Sequence, residues 1–436
     1  MKKEKEYLSR RTFLTKTFSG MALLGSLSLP YKSRGKIKSS QSEFNSKKSV
    51  IYRTLGKTGI RVPVVSMGVM NSSDPALVRR AFEKGIRHFD TAASYGRGRN
   101  EEMIGKVIKE LDVRDEAIIA TKVPRISLSV LKQMRNEQSK AYFLDHLEQS
   151  LKRLQTDYVD MIYLHDAQSA EYLQNDGFRS AMETAKSQKK ALSVGFSVHR
   201  NMTECLHEAS RDGFYDVVLT AFNYSMHANR ELIDSMKKAA ANGIGIIAMK
   251  TQCSQPWYKP QESHEFDEGR IMQTALLKWV LRHEFVSTAV PGFQNFKELE
   301  EDFSVADDLE YTTEEKKFLQ DRNIKLSMTS VCQLCGSCVS TCSKQVDIPA
   351  LIRTHMYATC YTNFYQARDT LDEIPKGKGL EACASCQVCT AKCVNSVDIH
   401  RRINEIKWLK TNGEKQFSID SKRMSVMGVN DHKVSR

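Results

Sequence analysis

What the 436-residue chain lacks narrows it before any motif is read. No run of about 20 apolar residues occurs, so no membrane-spanning helix is encoded. Only 9 prolines and a hydrophobic share of 41% exclude a disordered chain and allow a large core. No G-x-G-x-x-G follows the first strand-like run, which counts against an open dinucleotide-binding sheet. Cysteine is absent from most of the length and is not spread in the manner of a disulfide framework. An excess of positive charge is also missing from the body of the chain. Residues 1–50 hold 12 Lys or Arg and 3 Asp or Glu, a surplus of +9, which leaves only +4 of the total +13 for everything after. That balance excludes nucleic acid as the expected partner.

The basic leader has its own pattern. SRRTFLTKTFSGMALLGSLSL at residues 9–29 sets two arginines before a short apolar run, Phe18 to Leu29. That run is too short to span a bilayer and reads as a signal peptide. Ser9, Arg10, Arg11, Phe13 and Leu14 resemble a bacterial twin-arginine export signal. The resemblance implies that the folded chain leaves through the twin-arginine translocase, to the periplasm or the outer face of the membrane. Ser26-Leu27-Ser28 is the best cleavage site on offer. The signal is expected over 1–30 and a Ser- and Lys-rich linker over 31–50.

From Ile51 the pattern alternates. PVVSMG, RHFDTA, AIIATK, YVDMIYLH, LSVGFS, DVVLTAFN, GIGIIAMK and VSTAVPG read as eight buried strands, separated by amphipathic stretches such as DPALVRRAFEKG and RIMQTALLKWVLR. Eight strand–helix units over about 250 residues predict an α/β fold, a (β/α)8 TIM barrel over 51–310. Catalytic groups in such a barrel sit at the carboxyl ends of the strands. Reading those ends gives Asp90, Lys122, His165, Ser197, Asn223, Met249 and Gly292, with Tyr95 five residues past Asp90. A Tyr beside a Lys is expected to have a lowered pKa and to donate a proton near neutral pH. A His could orient a carbonyl, and the Asp could hold the Lys.

These segments resemble the aldo-keto reductases over residues 51–305. YRTLGKTGIRVPVVSMG is similar to the family's opening hairpin and first strand, FDTAASYGRGRNEEMIG to its Asp-x4-Tyr segment, and TK and YLHD to its lysine and histidine strands. GFSVH and VPGFQNFKELEEDF are similar to its late cofactor segments. The resemblance implies a carbonyl or alcohol substrate, a sugar being one such compound, and NAD or NADP as cofactor. It makes Tyr95 the general acid, supported by Lys122 and Asp90, with His165 orienting the carbonyl. It places Ser197 on the nicotinamide carboxamide and Gly68, Met249, Gly292, Glu301 and Asp302 around the cofactor. Val198, Leu219 and Met249 depart from the family's usual Asn, Gln and aromatic, and Glu298 would repel a 2′-phosphate. In the loop after the seventh strand, Trp257 and Tyr258 are candidates for stacking on a substrate ring.

Eight of the 11 cysteines fall in a duplicated run. Cys332, Cys335, Cys338 and Cys342 are spaced C-x2-C-x2-C-x3-C, and Cys383, Cys386, Cys389 and Cys393 repeat it, each run reaching Val-Asp-Ile after three more residues. Zinc sites use paired C-x2-C units, so a third cysteine at that spacing is surplus. Three such cysteines wrap three corners of an iron–sulfur cubane, and the fourth ligates the other cluster. Two [4Fe-4S] clusters are therefore expected, with Cys342 joining the second triplet and Cys393 the first. The helical periodicity of IPALIRTHMYATCYTNFYQARDTL makes 311–411 resemble an α-helical ferredoxin domain, with a polar tail over 412–436. Its Tyr and Phe residues read as packing, and Cys205, Cys253 and Cys360 as small apolar residues. A cluster moves one electron and a nicotinamide moves two, so the clusters are either structural or served by a separate redox partner. A barrel that merely carries the cluster module, without catalysis, is the rival reading.

Overall fold

The computed structural model describes residues 49–252, 272–329 and 331–410. The leader, most of the linker, Cys253, Trp257, Tyr258 and the tail from 411 lie outside the described residues. No helix among the described residues is long and apolar enough to cross a membrane.

Among the described residues ten strands form two sheets. The antiparallel pair β1 (Tyr52–Thr54) and β2 (Arg61–Pro63) is the opening hairpin. The remaining strands are β3 (Met67–Gly68), β4 (His88–Asp90), β5 (Ile118–Val123), β6 (Val159–Ala167), β7 (Ala191–Val198), β8 (Val217–Ala221), β9 (Gly245–Met249) and β10 (Thr288–Ala289). They are all parallel and run in strict sequence order, β3 to β10. The sheet closes where Val65 bridges Ala289 in parallel and Gly68 N donates to Pro291 O at 2.9 Å. A helix follows each strand, from Pro75–Lys84 after β3 to Phe296–Phe303 after β10. The expected (β/α)8 barrel is the observed one.

Period-2 alternation decides what faces the axis. Ala120, Met161, Tyr163, Val217, Leu219 and Ile247 fill the barrel interior, while Ile119, Ile162, Val194, Phe196, Val218 and Ile246 meet the helices. The hairpin plugs the amino-terminal end with Leu55 and Val62. Its turn approaches so closely that a Cβ on Gly56 (φ 51°) would stand 2.3 Å from Gly245 N. Lys122, His165 and Met249 continue the inward rows of Ala120, Tyr163 and Ile247, which brings all three to the open carboxyl end.

The rest of the chain packs a second, smaller core. Val346, Ile348, Leu351, Ile352, Leu380, Ile399 and Ile403 are buried together there. The repeated Val-Asp-Ile has a structural cause. Asp347 and Asp398 cap the helices Ile348–His355 and Ile399–Glu405, accepting from Ala350 N at 3.2 Å and Arg401 N at 3.0 Å, and the flanking Val and Ile are buried. The long helical pattern after Ile348 is interrupted. The helix passes into a π turn over Met356–Cys360, and a new helix starts at Phe364–Asp372, capped by Asn363. Such turns are frequent at functional sites.

Candidate active site

Lys122, on β5, is 1% exposed and donates to Asp90 Oδ1 and Thr91 O, each at 2.6 Å. Burial pushes the Asp90 carboxyl up and the Lys122 ammonium down, and their contact opposes both shifts. Tyr95 opens a one-turn helix after β4, and its ring centroid lies 4.9 Å from Lys122 Nζ. The His165 ring stands edge-on to it at 5.8 Å. Ser94 Oγ is 3.3 Å from His165 Nδ1. Burial, followed by the Lys122 charge, holds His165 well below the usual imidazole range, so it is neutral. The tetrad residues thus come together at the barrel mouth.

One expectation is corrected. Tyr95 is raised well above the ordinary phenol value, not lowered, first by burial and then by the Asp90 charge. Lys122 already donates to Asp90 and Thr91, and its charge does not offset the burial of the phenol. Tyr95 stays a neutral phenol, the form that can donate a proton.

A cavity of about 420 Å³ opens above this set. Gly68, Asp90, Tyr95, His165, Met249, Gly292, Glu301 and Asp302 line it. Gly68 is a close approach, since a Cβ there would stand 2.8 Å from Val290 O. Burial raises Asp302 to about 8, and Gln252 donates to it. Glu298 also lines the cavity, but its carboxylate accepts from Gln294 N and Asn295 Nδ2 of its own turn. Ser197 is not brought to the cavity. It is fully buried, and its Oγ accepts from Asp166 N at 2.8 Å.

The sequence reading missed the roof. Tyr357, Cys360, Tyr361 and Gln366, all from the cysteine-bearing segment, line the same cavity. The two parts are tied by charge. Asp166, in a left-handed conformation (φ 52°), meets His199 Nδ1 at 2.9 Å and Arg353 at 3.0 Å. Burial pushes Asp166 up, but Arg353 and His199 outweigh it and hold the carboxyl well below the usual range. Arg125 reaches Glu373 O, Arg200 meets Asp347, and Asn363 donates to Asn71 Oδ1. His199 and Lys250 stand one residue past the ends of β7 and β9, so a slightly wider reading of the strand ends would have found them. Nothing local marks Tyr357 or Cys360.

The described cysteines are free. Burial raises Cys332 to about 12, and Cys338, Cys393 and Cys335 lie close enough for their charges to raise it further. Burial likewise raises Cys383 to about 11, with Cys342, Cys386 and Cys389 around it. Those last four sulfurs line one small cavity. Each triplet therefore faces the fourth cysteine of the other run. The two runs brace each other, Lys392 N donating to Thr341 Oγ1 and Ser343 N to Thr390 Oγ1. Among the described residues no group of three or more His, Cys, Asp or Glu could hold a single metal ion.

A closed parallel barrel thus carries a Tyr, a buried Lys–Asp pair and a His at its carboxyl end. Residues 67–255 match the aldo/keto reductase family. It is 28% identical to the L-glyceraldehyde 3-phosphate reductase of Escherichia coli over 61% of this chain and 90% of that protein. It is 26% identical to the L-galactose dehydrogenase of Arabidopsis thaliana, over 59% and 88% respectively. An aldo-keto reductase from Bacillus halodurans shares the fold, with a TM-score of 0.51 at 21% identity over 64% of this chain and all of that one.

Proposed function

We propose that this chain is an exported oxidoreductase that moves hydride between NAD or NADP and the carbonyl or alcohol carbon of a small molecule such as a sugar. The observation that carries this reading is the buried Lys122–Asp90 pair beside Tyr95, with His165 on the same cavity. The nicotinamide, when bound, supplies or takes the hydride. Tyr95 gives its proton to the oxygen as that oxygen gains negative charge, and the nearby ammonium stabilises the tyrosinate left behind. With Ser94 donating to Nδ1, neutral His165 keeps its proton on Nε2 and offers it to the carbonyl oxygen. Gly68, Met249 and Gly292 would hold the cofactor along the cavity wall; Ser197 would not. Glu298 and Glu301 give that wall an acidic end, which favours a cofactor without a 2′-phosphate.

The test is carbonyl-dependent oxidation of NADH and NADPH by the purified protein. Tyr95→Phe should lower kcat at least 100-fold, whereas a barrel that only carries clusters would have no such turnover to lose. The names of two relatives, a glyceraldehyde 3-phosphate reductase and a galactose dehydrogenase, favour sugars as the first substrates to try.

Two [4Fe-4S] clusters complete the reading, one on Cys332, Cys335, Cys338 and Cys393, the other on Cys383, Cys386, Cys389 and Cys342. The approach of each run's fourth cysteine to the other triplet supports it, and a third cysteine at x2 spacing is surplus for zinc. Each cluster, when bound, carries single electrons, so a separate flavin or quinone partner would be needed to link it to hydride chemistry. Clusters must be inserted before transport, which gives the twin-arginine route a reason, and the nicotinamide would be carried out bound. Anaerobic purification should yield about eight iron and eight sulfide per chain and a reduced-cluster EPR signal. Protein without iron would refute the clusters and leave the hydride reading standing.

A further inference from the structure

The cavity holds a second Tyr–Lys pair that hydride transfer does not use. Lys250 follows β9 in a left-handed conformation (φ 55°), a setting uncommon for lysine. Its Nζ donates to Tyr357 Oη at 3.0 Å and sits 4.8 Å from that ring's centroid. Tyr357 comes from the π turn of the roof, so the pair joins the barrel to its cover. Both residues line the cavity together with Tyr95 and His165.

A pair serving only to dock the roof would be expected to turn its polar atoms away from the cavity. Docking is also provided elsewhere, by Arg353 on Asp166 and Asn363 on Asn71. Among the described residues no carboxylate forms an ion pair with Lys250. Burial, aided by the Arg353 charge, lowers it to about 7. An amine with one hydrogen bond keeps further donor capacity, and a tyrosine hydroxyl that accepts still has its own proton to donate. Lys250 is half-buried and Tyr357 buried, and spare donors in such a setting gain when a ligand completes them.

We propose that Lys250 and Tyr357 bind a hydroxyl group of the substrate beside the reacting carbonyl, selecting hydroxylated carbonyl compounds over simple ones of equal length. This rests on the carbonyl reaction proposed above and adds where the second oxygen is held. The pair makes and breaks no covalent bond. Discrimination follows because an analogue without the hydroxyl leaves these donors unpaired, an effect larger than that of a missing methylene. The cysteine-bearing segment then takes part in substrate choice.

The experiment compares glyceraldehyde with propanal, three-carbon aldehydes that differ by two hydroxyl groups. Wild-type protein should favour glyceraldehyde in kcat/KM by at least tenfold. Lys250→Met and Tyr357→Phe should each lower that ratio at least tenfold, mainly through KM. Tyr357→Phe keeps the ring in the roof, so it reports even where Lys250→Met fails to fold. Equal losses on both aldehydes, or an unchanged ratio, would overturn the inference while leaving carbonyl reduction intact. Wild-type protein that turns over neither aldehyde with NADH or NADPH would overturn the reaction, and this inference with it.

Discussion

Lys122→Met should destabilise the barrel more than almost any other single change at its mouth. Lys122 and Asp90 are 1% and 4% exposed, and their contact is 2.6 Å. Asp90 Oδ2 already has no hydrogen-bond partner. Removing the ammonium leaves a carboxyl that must either stay charged without compensation or take up a proton. Breaking one side of a buried pair costs about 3–5 kcal/mol. In a unit this large each kcal/mol moves Tm by roughly 2 °C, so a fall on the order of 6–10 °C is expected. Asp90→Asn should cost less, because a neutral amide can still accept from Lys122. In the double variant Asp90→Asn/Lys122→Met the buried charge is gone, and stability should recover by about 1–3 kcal/mol over the sum of the singles. Urea midpoints for the four proteins measure this coupling. Additive losses would refute the argument, since they would mean that neither group senses the other. Turnover should not recover with stability, because the double variant still lacks the ammonium beside Tyr95.

Three further outcomes follow from buried charges. Arg353→Leu leaves Asp166 in the low-dielectric seam with His199 and Gln168 bonded to it but without its ion-pair partner, so it should cost about 3–5 kcal/mol. Hydrogen exchange should speed up over residues 348–372 before it does in the barrel strands. Burial lowers His88 and His199 to about 3, so the unfolded chain binds protons below pH 6.5 that the folded chain refuses. Stability should fall as pH drops below 6.5, by up to about 2 kcal/mol per histidine at pH 5. His88→Gln should flatten that slope in thermal melts. Asp302 has the opposite sign, because burial raises it to about 8 and the folded state holds a proton the unfolded chain has released. Its stability cost grows as pH rises from about 4 to 8, and Asp302→Asn should be more stable than wild type by on the order of 5 kcal/mol at pH 8.

The barrel was readable because its signals are local and repeated. Each strand is a short apolar run between polar helices, and parallel strands buried on both faces leave that mark in any sequence. The strand ends then yielded Asp90, Lys122 and His165 by position alone, since inward and outward residues alternate along β5, β9 and the middle of β6. Ser197 shows where position stops being enough. It lies at the end of β7, yet the left-handed turn at Asp166 brings a backbone N–H onto its hydroxyl and takes it out of the cavity. The Tyr95 expectation failed for a related reason. Proximity to a lysine was read from spacing, but the direction of the pKa shift depends on burial and on where the ammonium spends its donors.

The cysteine runs divide along the same line. Their duplication is visible in the letters, and part of it is now explained by helix capping, because Asp347 and Asp398 each start a helix that the flanking Val and Ile anchor. What the letters do not carry is the placement of this segment over the barrel mouth. Cys360 reads as a small apolar residue and Tyr357 as packing, and within their own core both descriptions hold. The π turn over Met356–Cys360 changes their role by breaking the helical register and turning Tyr357 toward Lys250, 107 residues away in sequence. A contact at that separation has no periodic signature, since it depends on how two separately patterned cores dock. That docking rests on a handful of buried polar groups, Arg353, Asp166 and His199 first among them, whose partners cannot be matched until both surfaces exist. If the roof selects the substrate, loss of the cysteine core should therefore alter which aldehyde is reduced before it abolishes reduction. Lys250→Met and Tyr357→Phe approach the same question from the cavity side.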